Sequence, residues 1–266
     1  MTNAPERSII PGEMVVDPWL FSIALAVHAK QNGATIFTQF EMDPAKSAMG
    51  EDGFWTIQRK QTDETNTKSM ALRGKTVVNA TGLWTDLVQA DKPCHWTTQP
   101  RRGQYRIYSS NTLVTRPIQP VPSPQTKGIF VFSTLYDQLV VGPRALDQPS
   151  REDCSVNPSV SAALEQHLLR IVPQVDPLSY RGDYVGIRPG TEHCDYQISV
   201  SQKWIACASI RSTGLTASLG IGRYVTQLLE PLVGSSHSPD NSNHAIALSF
   251  PVGARLSSTP GWYGAN

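Results

Sequence analysis

The sequence predicts a mixed fold, an α+β body attached to part of an α/β layer and carrying a mixed antiparallel sheet. Three observations predict it. Strand and helix signals intermix without the regular βαβαβ alternation of a purely layered fold. A short apolar strand at 75–80 runs into Thr81-Gly82 and a helical stretch, the strand, tight turn and helix of an α/β layer. Strand signals at 129–133 and 138–142 follow one another closely, as antiparallel neighbours do. The chain has 266 residues, 39% of them hydrophobic, enough for one large domain or two small ones.

The elements follow in order. Residues 1–13 are polar and irregular and end in Pro11-Gly12. Asp17 is a good N-cap, Pro18 fits the first helical position and Gly33 fits the stop. Between them Leu20, Ile23, Ala24 and Val27 recur at helical spacing. Phe21 to Val27 is apolar but closely bounded by Asp17 and His28 to Lys30, so it reads as a buried helix and not a membrane span. Residues 34–40 read as a strand. A hairpin or meander through 54–59 and 69–73, with polar turns at 43–53 and 61–68, reads as a surface excursion. After the 75–80 strand, a helix is expected at 83–90. The Pro-rich stretch 93–126 holds a strand at Gln104 to Tyr108. A helix covers about 158–171, with Pro173 just past it, and strands are expected at 180–187, 195–200 and 204–208. A last helix runs from about 215 to 230 and ends at Pro231. Residues 232–266, rich in Ser, Pro, Asn and Gly, read as a flexible tail.

Composition narrows the function classes. There are 23 basic and 22 acidic residues, a formal +1, which argues against nucleic-acid or membrane-surface partners. Met1 to Ile10 lacks a signal-peptide pattern. Cys94, Cys154, Cys194 and Cys207 form no C-x-x-C pair, which points to a reducing compartment, cytoplasmic or mitochondrial. Cys94-His95 and His193-Cys194 lack the ligand spacing of a structural zinc site, so no metal is expected. G-x-S-x-G, H-E-x-x-H, the phosphate-binding G-x-x-x-x-G-K-[ST] and G-x-G-x-x-G are all absent. Gly220-Ile221-Gly222 lies inside a helix signal and opens no βαβ unit.

Three stretches can carry chemistry. In Val77 to Asp86, an apolar strand ends at Ala80-Thr81-Gly82, where Gly82 lets the backbone approach a ligand; taken alone, an ordinary strand-to-helix turn is the stronger reading. In Gly182 to Gly190, Arg188 ends an apolar strand before Pro189-Gly190. It suits either a forked bond to a carboxylate or phosphate, or a structural ion pair. In Arg211 to Ser218, Ser212 or Thr213 can cap the helix that follows, and Gly214 leaves room for a flat ligand at its positive end; a plain capped helix reads equally well.

Taken together, six segments resemble the D-amino-acid-oxidase superfamily of FAD-dependent oxidoreductases. They are Gly12 to Pro18 with the helix into Gly33-Ala34, Val77 to Asp86, Pro100 to Tyr105, Gly128-Ile129 through Pro143, Gly186-Ile187-Arg188-Pro189 with Asp195 to Ile198, and Ile210 to Ser218. Their order and spacing agree across residues 12–230. Thr213 stands where the family motif has proline. The resemblance is nearest to the glycerol-3-phosphate dehydrogenase and L-2-hydroxyglutarate dehydrogenase-like group.

The resemblance implies a Rossmann-like FAD domain, of which 12–34, 75–92 and 186–231 are parts, a β excursion at 35–74 and a substrate domain at 93–185. It implies that Ala80, Thr81 and Gly82 lie against FAD's dinucleotide, and Gly214, Leu215 and Thr216 beside the flavin ring. It makes Arg188 the binder of a small anionic organic substrate, a 2-hydroxy compound such as glycerol 3-phosphate, and leaves the electron acceptor open. No general base stands out; His95 and His193 are the candidates. Family members begin with a strand, a G-x-G-x-x-G turn and a helix, and only a dozen residues precede the point resembling Gly12. The expectation is an N-terminally incomplete FAD domain with exposed apolar surface, active only when the missing segment is supplied. The alternatives are a non-catalytic remnant that does not hold FAD, or an amino-acid or amine oxidase.

Overall fold

The computed structural model describes residues 14–61, 70–89, 94–109, 114–121 and 128–234. In chain order the elements are α1 (Pro18–Gln31), β1 (Ala48–Met49), β2 (Trp55–Gln58), β3 (Ala71–Gly74), β4 (Val77–Asn79), β5 (Gln99–Tyr108), β6 (Phe130–Ser133), β7 (Leu139–Asp147), α2 (Pro158–Ile171), β8 (Tyr180–Gly190), β9 (Gln197–Ser201), β10 (Trp204–Ala208) and α3 (Gly214–Val233). The sheets run β1-β2-β3, β4-β10-β9 and β6-β7-β5-β8. The chain divides into two compact units, one of residues 1–36, 104–144 and 156–184, the other of 37–103, 145–155 and 185–266.

In the first unit, α2 packs on strands. Asn157 caps it by accepting from the N–H groups of Ser159 and Val160, and Pro158 takes the first position. Val160, Leu164 and Leu168, spaced four apart, bury against Tyr108, Val131, Leu139 and Val141. Beside this core Asp183 accepts from Ser161 at 2.8 Å and from Arg106 at 3.3 Å. α1 begins the same way, Asp17 accepting from Trp19 and Leu20. It does not form the buried helix its apolar run predicts: none of its residues is buried, and Trp19 is 62% exposed. Leu20, Phe21, Ile23, Leu25 and Val27 spread around the helix rather than along one stripe, the pattern of a helix enclosed on all sides.

The second unit holds two cores. Trp55, Trp96 and Trp204 form one with Ala206 and Ala208, the Trp55 and Trp204 rings 4.9 Å apart. On the other face of β10, Ile205 and Cys207 meet Val225, Ile221 and Leu228 of α3. The meander β1-β2-β3 pairs Trp55 with Gly74 and Ala48 with Thr56.

Three further expectations need correction. Residues 34–40 form no strand, because no neighbouring strand offers them a ladder, and Ile36 and Phe37 are exposed. The 83–90 helix is a single 3₁₀ turn at Gly82–Trp84 followed by turns, held by Asn79 and Thr85 rather than by a helical ladder. α3 passes Pro231 by two residues: the proline forfeits one ladder bond, to the Gln227 carbonyl, and the helix ends within the next turn. Residues 1–13, 62–69 and 235–266, which include most of the turn expected at 61–68 and of the tail expected at 232–266, lie outside the described residues.

Candidate functional site

The site residues meet at one end of one sheet. β4 and β10 are parallel neighbours, pairing Trp204 with Val77 and Ala206 with Asn79. Both therefore leave the sheet at the same end, β4 into Ala80-Thr81-Gly82 and β10 into Ser209 to Thr216. The crevice beyond the carboxyl ends of parallel strands is where layered α/β sheets bind ligands.

The turn after β4 is built by Asn79, 3% exposed. Its amide donates to the Thr85 carbonyl at 2.9 Å, and its Oδ1 accepts from the Thr81 hydroxyl at 2.7 Å and the Thr81 N–H at 3.3 Å. These bonds fold the chain back so that Ala80 and Thr81 stay exposed. Gly82 adopts φ +60°, and a Cβ there would meet nothing within 4 Å, so conformation rather than crowding calls for glycine.

An ion pair anchors the turn. Arg151 grips Asp86 with two bonds of 2.7 and 2.8 Å and also donates to the Leu83 carbonyl. Asp86 further accepts from the Thr98 N–H at 3.0 Å. Burial pushes the Asp86 carboxyl up, but the guanidinium and the N–H outweigh it and hold it at about 2. Asp86 is thus a fixed anion that staples the turn. Sequence reasoning missed Arg151: the pair spans 65 residues, and no local pattern marks it.

After β10 the chain passes through Ser209, whose buried hydroxyl meets Thr191 at 2.9 Å, and then Ser212 at φ +63°. Arg188, near the end of β8, donates from Nη1 to the Ser212 hydroxyl at 3.0 Å. Thr213 pairs with the Tyr196 hydroxyl. The expectation that Ser212 or Thr213 caps the last helix is therefore corrected: both hydroxyls are engaged elsewhere, and no side chain caps α3. Its first turn, Gly214-Leu215-Thr216, lacks any side-chain acceptor for its N–H groups. A Cβ on Gly214 would meet only Ile210 Cγ2, at 3.6 Å. Asp195, Tyr196, Thr216, Ala217 and Tyr224 line an open groove beside it.

This donor set suits the polar edge of a flavin ring. Backbone N–H groups at the positive end of a 20-residue helix favour an acceptor edge that gains negative charge on reduction, and glycine admits a flat group there. His95 and His193 meet each other: His193 Nε2 lies 3.2 Å from the His95 carbonyl and 3.6 Å from Glu192. Among the described residues no group of three His, Cys, Asp or Glu side chains could hold a metal, and no helix is long and apolar enough to cross a membrane.

Comparison with known proteins bears on this geometry. The family model for FAD-dependent oxidoreductases, DAO, matches residues 6–228. A glycerol 3-phosphate dehydrogenase of Caloramator mitchellensis is 29% identical over 241 residues, 86% of this chain and 47% of that protein. A glycerol 3-phosphate oxidase of Mycoplasma pneumoniae is 27% identical, covering 83% of this chain and 58% of that protein. The chain thus spans about half the length of the curated relatives it matches. Among solved structures, the dithionite-reduced L-α-glycerophosphate oxidase of Mycoplasma pneumoniae with FAD bound aligns at a TM-score of 0.66 and 26% identity, over 77% of this chain and 54% of that one. A glycine oxidase of Bacillus cereus aligns at 0.65 with 20% identity, over 79% and 55%, a likeness of fold.

Proposed function

We propose, since this chain belongs to the DAO family of FAD-dependent oxidoreductases, that it carries the substrate-anion site and the flavin-ring site of an enzyme oxidising a small anionic 2-hydroxy compound, with glycerol 3-phosphate the first candidate. The observation that carries the reading is the placement of Arg188. It is hydrogen-bonded to Ser212, two residues before the uncapped start of α3. The relatives named for glycerol 3-phosphate favour that substrate over an amine or amino acid.

The residues divide the work. Arg188 binds the substrate's phosphate or carboxylate through its planar fork. Gly214, Leu215 and Thr216 hold the polar edge of the flavin with backbone N–H groups, and Ala80, Thr81 and Gly82 lie along the dinucleotide. When bound, FAD supplies the oxidising power, accepting the hydride from the C–H beside the substrate hydroxyl, whose proton leaves to a base. In this reading residues 12–34, 75–92 and 186–231 belong to the flavin domain and 93–185 to the substrate domain.

The test is an absorbance titration of the purified chain with FAD, followed by anaerobic addition of glycerol 3-phosphate. Bound flavin that bleaches on substrate addition supports the reading. Arg188→Ala should then raise KM about a hundredfold, as loss of a charged fork predicts, with a smaller effect on kcat. Flavin that binds but bleaches with a neutral amine and not with the phosphate ester would replace this substrate class with the amine-oxidase reading.

A further inference from the structure

We propose that Ser212 is a positioning residue, kept in a strained backbone conformation because its hydroxyl fixes the Arg188 guanidinium. Ser212 adopts φ +63°, a left-handed conformation that costs any residue with a Cβ and costs glycine nothing. Its side chain is exposed and fills no core position. Packing therefore gives no reason for a side chain here. The hydrogen bond does: Arg188 Nη1 donates to Ser212 Oγ at 3.0 Å across 24 residues. Backbone strain of this kind persists only where the surrounding structure over-determines it, and it clusters at active sites and ligand clamps.

The neighbouring contacts agree. Thr213 is tied to Tyr196 and Ser209 to Thr191, so the loop from Ser209 to Thr213 is held at both ends and presents the Ser212 hydroxyl at a fixed place. A guanidinium docked on it faces its ligand in one orientation, with little rotamer freedom left to lose on binding. The inference rests on the reading that Arg188 receives the substrate anion, but the positioning itself is testable without substrate.

The test compares Ser212→Gly and Ser212→Ala in the 266-residue chain, using three readouts. They are the melting temperature, the Arg188 side-chain N–H signal in an NMR spectrum, assigned with an Arg188→Lys variant, and the affinity for inorganic phosphate and glycerol 3-phosphate. Ser212→Gly relieves the strain and removes the hydroxyl. It should melt at or above the wild-type temperature, while the Arg188 signal collapses toward the averaged arginine position and anion affinity falls about tenfold. Ser212→Ala keeps the strain without the hydroxyl, and should melt lower with the same loss of affinity. An unchanged Arg188 signal in Ser212→Gly overturns the proposal. So does a melting temperature that falls in both variants with anion affinity unmoved, the mark of a purely structural serine. If the Arg188 signal collapses in Ser212→Gly while neither anion perturbs it in the wild type, the positioning stands and the anion-binding role of Arg188 is what fails.

Discussion

α1 and α2 begin alike and end up in opposite environments. Each is 14 residues long, each opens on an Asx residue followed by proline, and each is capped by that side chain. α2 buries Val160, Ser161, Leu164 and Leu168; α1 buries nothing. The caps and the proline set where a helix starts, since they satisfy its first N–H groups whatever lies beside it. Burial is decided by what the apolar face meets. The stripe of α2 has a sheet to meet, whereas α1 carries apolar residues all round and finds no such surface among the described residues.

The sharpest test of that contrast is a pair of truncations. Leu164→Ala in α2 removes a fully buried side chain and should cost about 3 kcal/mol, read as a fall in the denaturant midpoint. Ile23→Ala in α1, at 42% exposure, should cost under about 0.5 kcal/mol. Equal losses would mean that α1 is as enclosed in solution as α2 is.

The Asp86–Arg151 pair comes next. Arg151→Met should cost about 2 kcal/mol at pH 7, below the range for a fully buried pair because solvent reaches part of it. The carboxyl sits at about 2 in the fold, below the roughly 3.9 of an unfolded chain. Its stabilisation is therefore complete above about pH 4 and lost as pH falls through about 2. The gap between wild type and Arg151→Met in urea titrations should close over that interval and stay constant from pH 5 to 8.

The caps are worth less than the ion pair. Asp17→Ala and Asn157→Ala should each cost about 1 kcal/mol of helix stability. For Asn157 the loss should register in global unfolding, because α2 belongs to a core. For Asp17 it should register as faster amide exchange in α1 alone.

Much of the fold was legible because its signals are local. The helix signal at 158–171, with Pro173 just past it, marks α2, the apolar runs at 129–133 and 138–142 mark β6 and β7, and Gly82 marks the turn after β4. The 34–40 stretch misled because Ile36 and Phe37 satisfy strand propensity, while a strand exists only with a neighbour. Gly82 to Trp84 fell short of a helix because Asn79 and Thr85 capture the backbone after one turn. In the candidate site, the places of Arg188 near the end of β8 and of Gly214 at the start of α3 were legible through motif and position. The contacts that orient them were not: Arg188–Ser212, Tyr196–Thr213 and Asp86–Arg151 join residues 24, 17 and 65 apart, and hydroxyls that look like helix caps are spent on tertiary partners.

The central claim is that the uncapped start of α3 receives the flavin ring, and one titration tests it most directly. FAD is added to the wild-type chain and to Gly214→Val, and binding is followed by the change in flavin absorbance. A Cβ at position 214 has room within the fold, making one ordinary contact with Ile210, but a side chain there would stand where a flat ring must approach. The account predicts that wild type binds FAD, and that Gly214→Val melts at the same temperature with FAD affinity at least about tenfold lower. Equal FAD affinity in the two chains, or no uptake of FAD by the wild type, would contradict it.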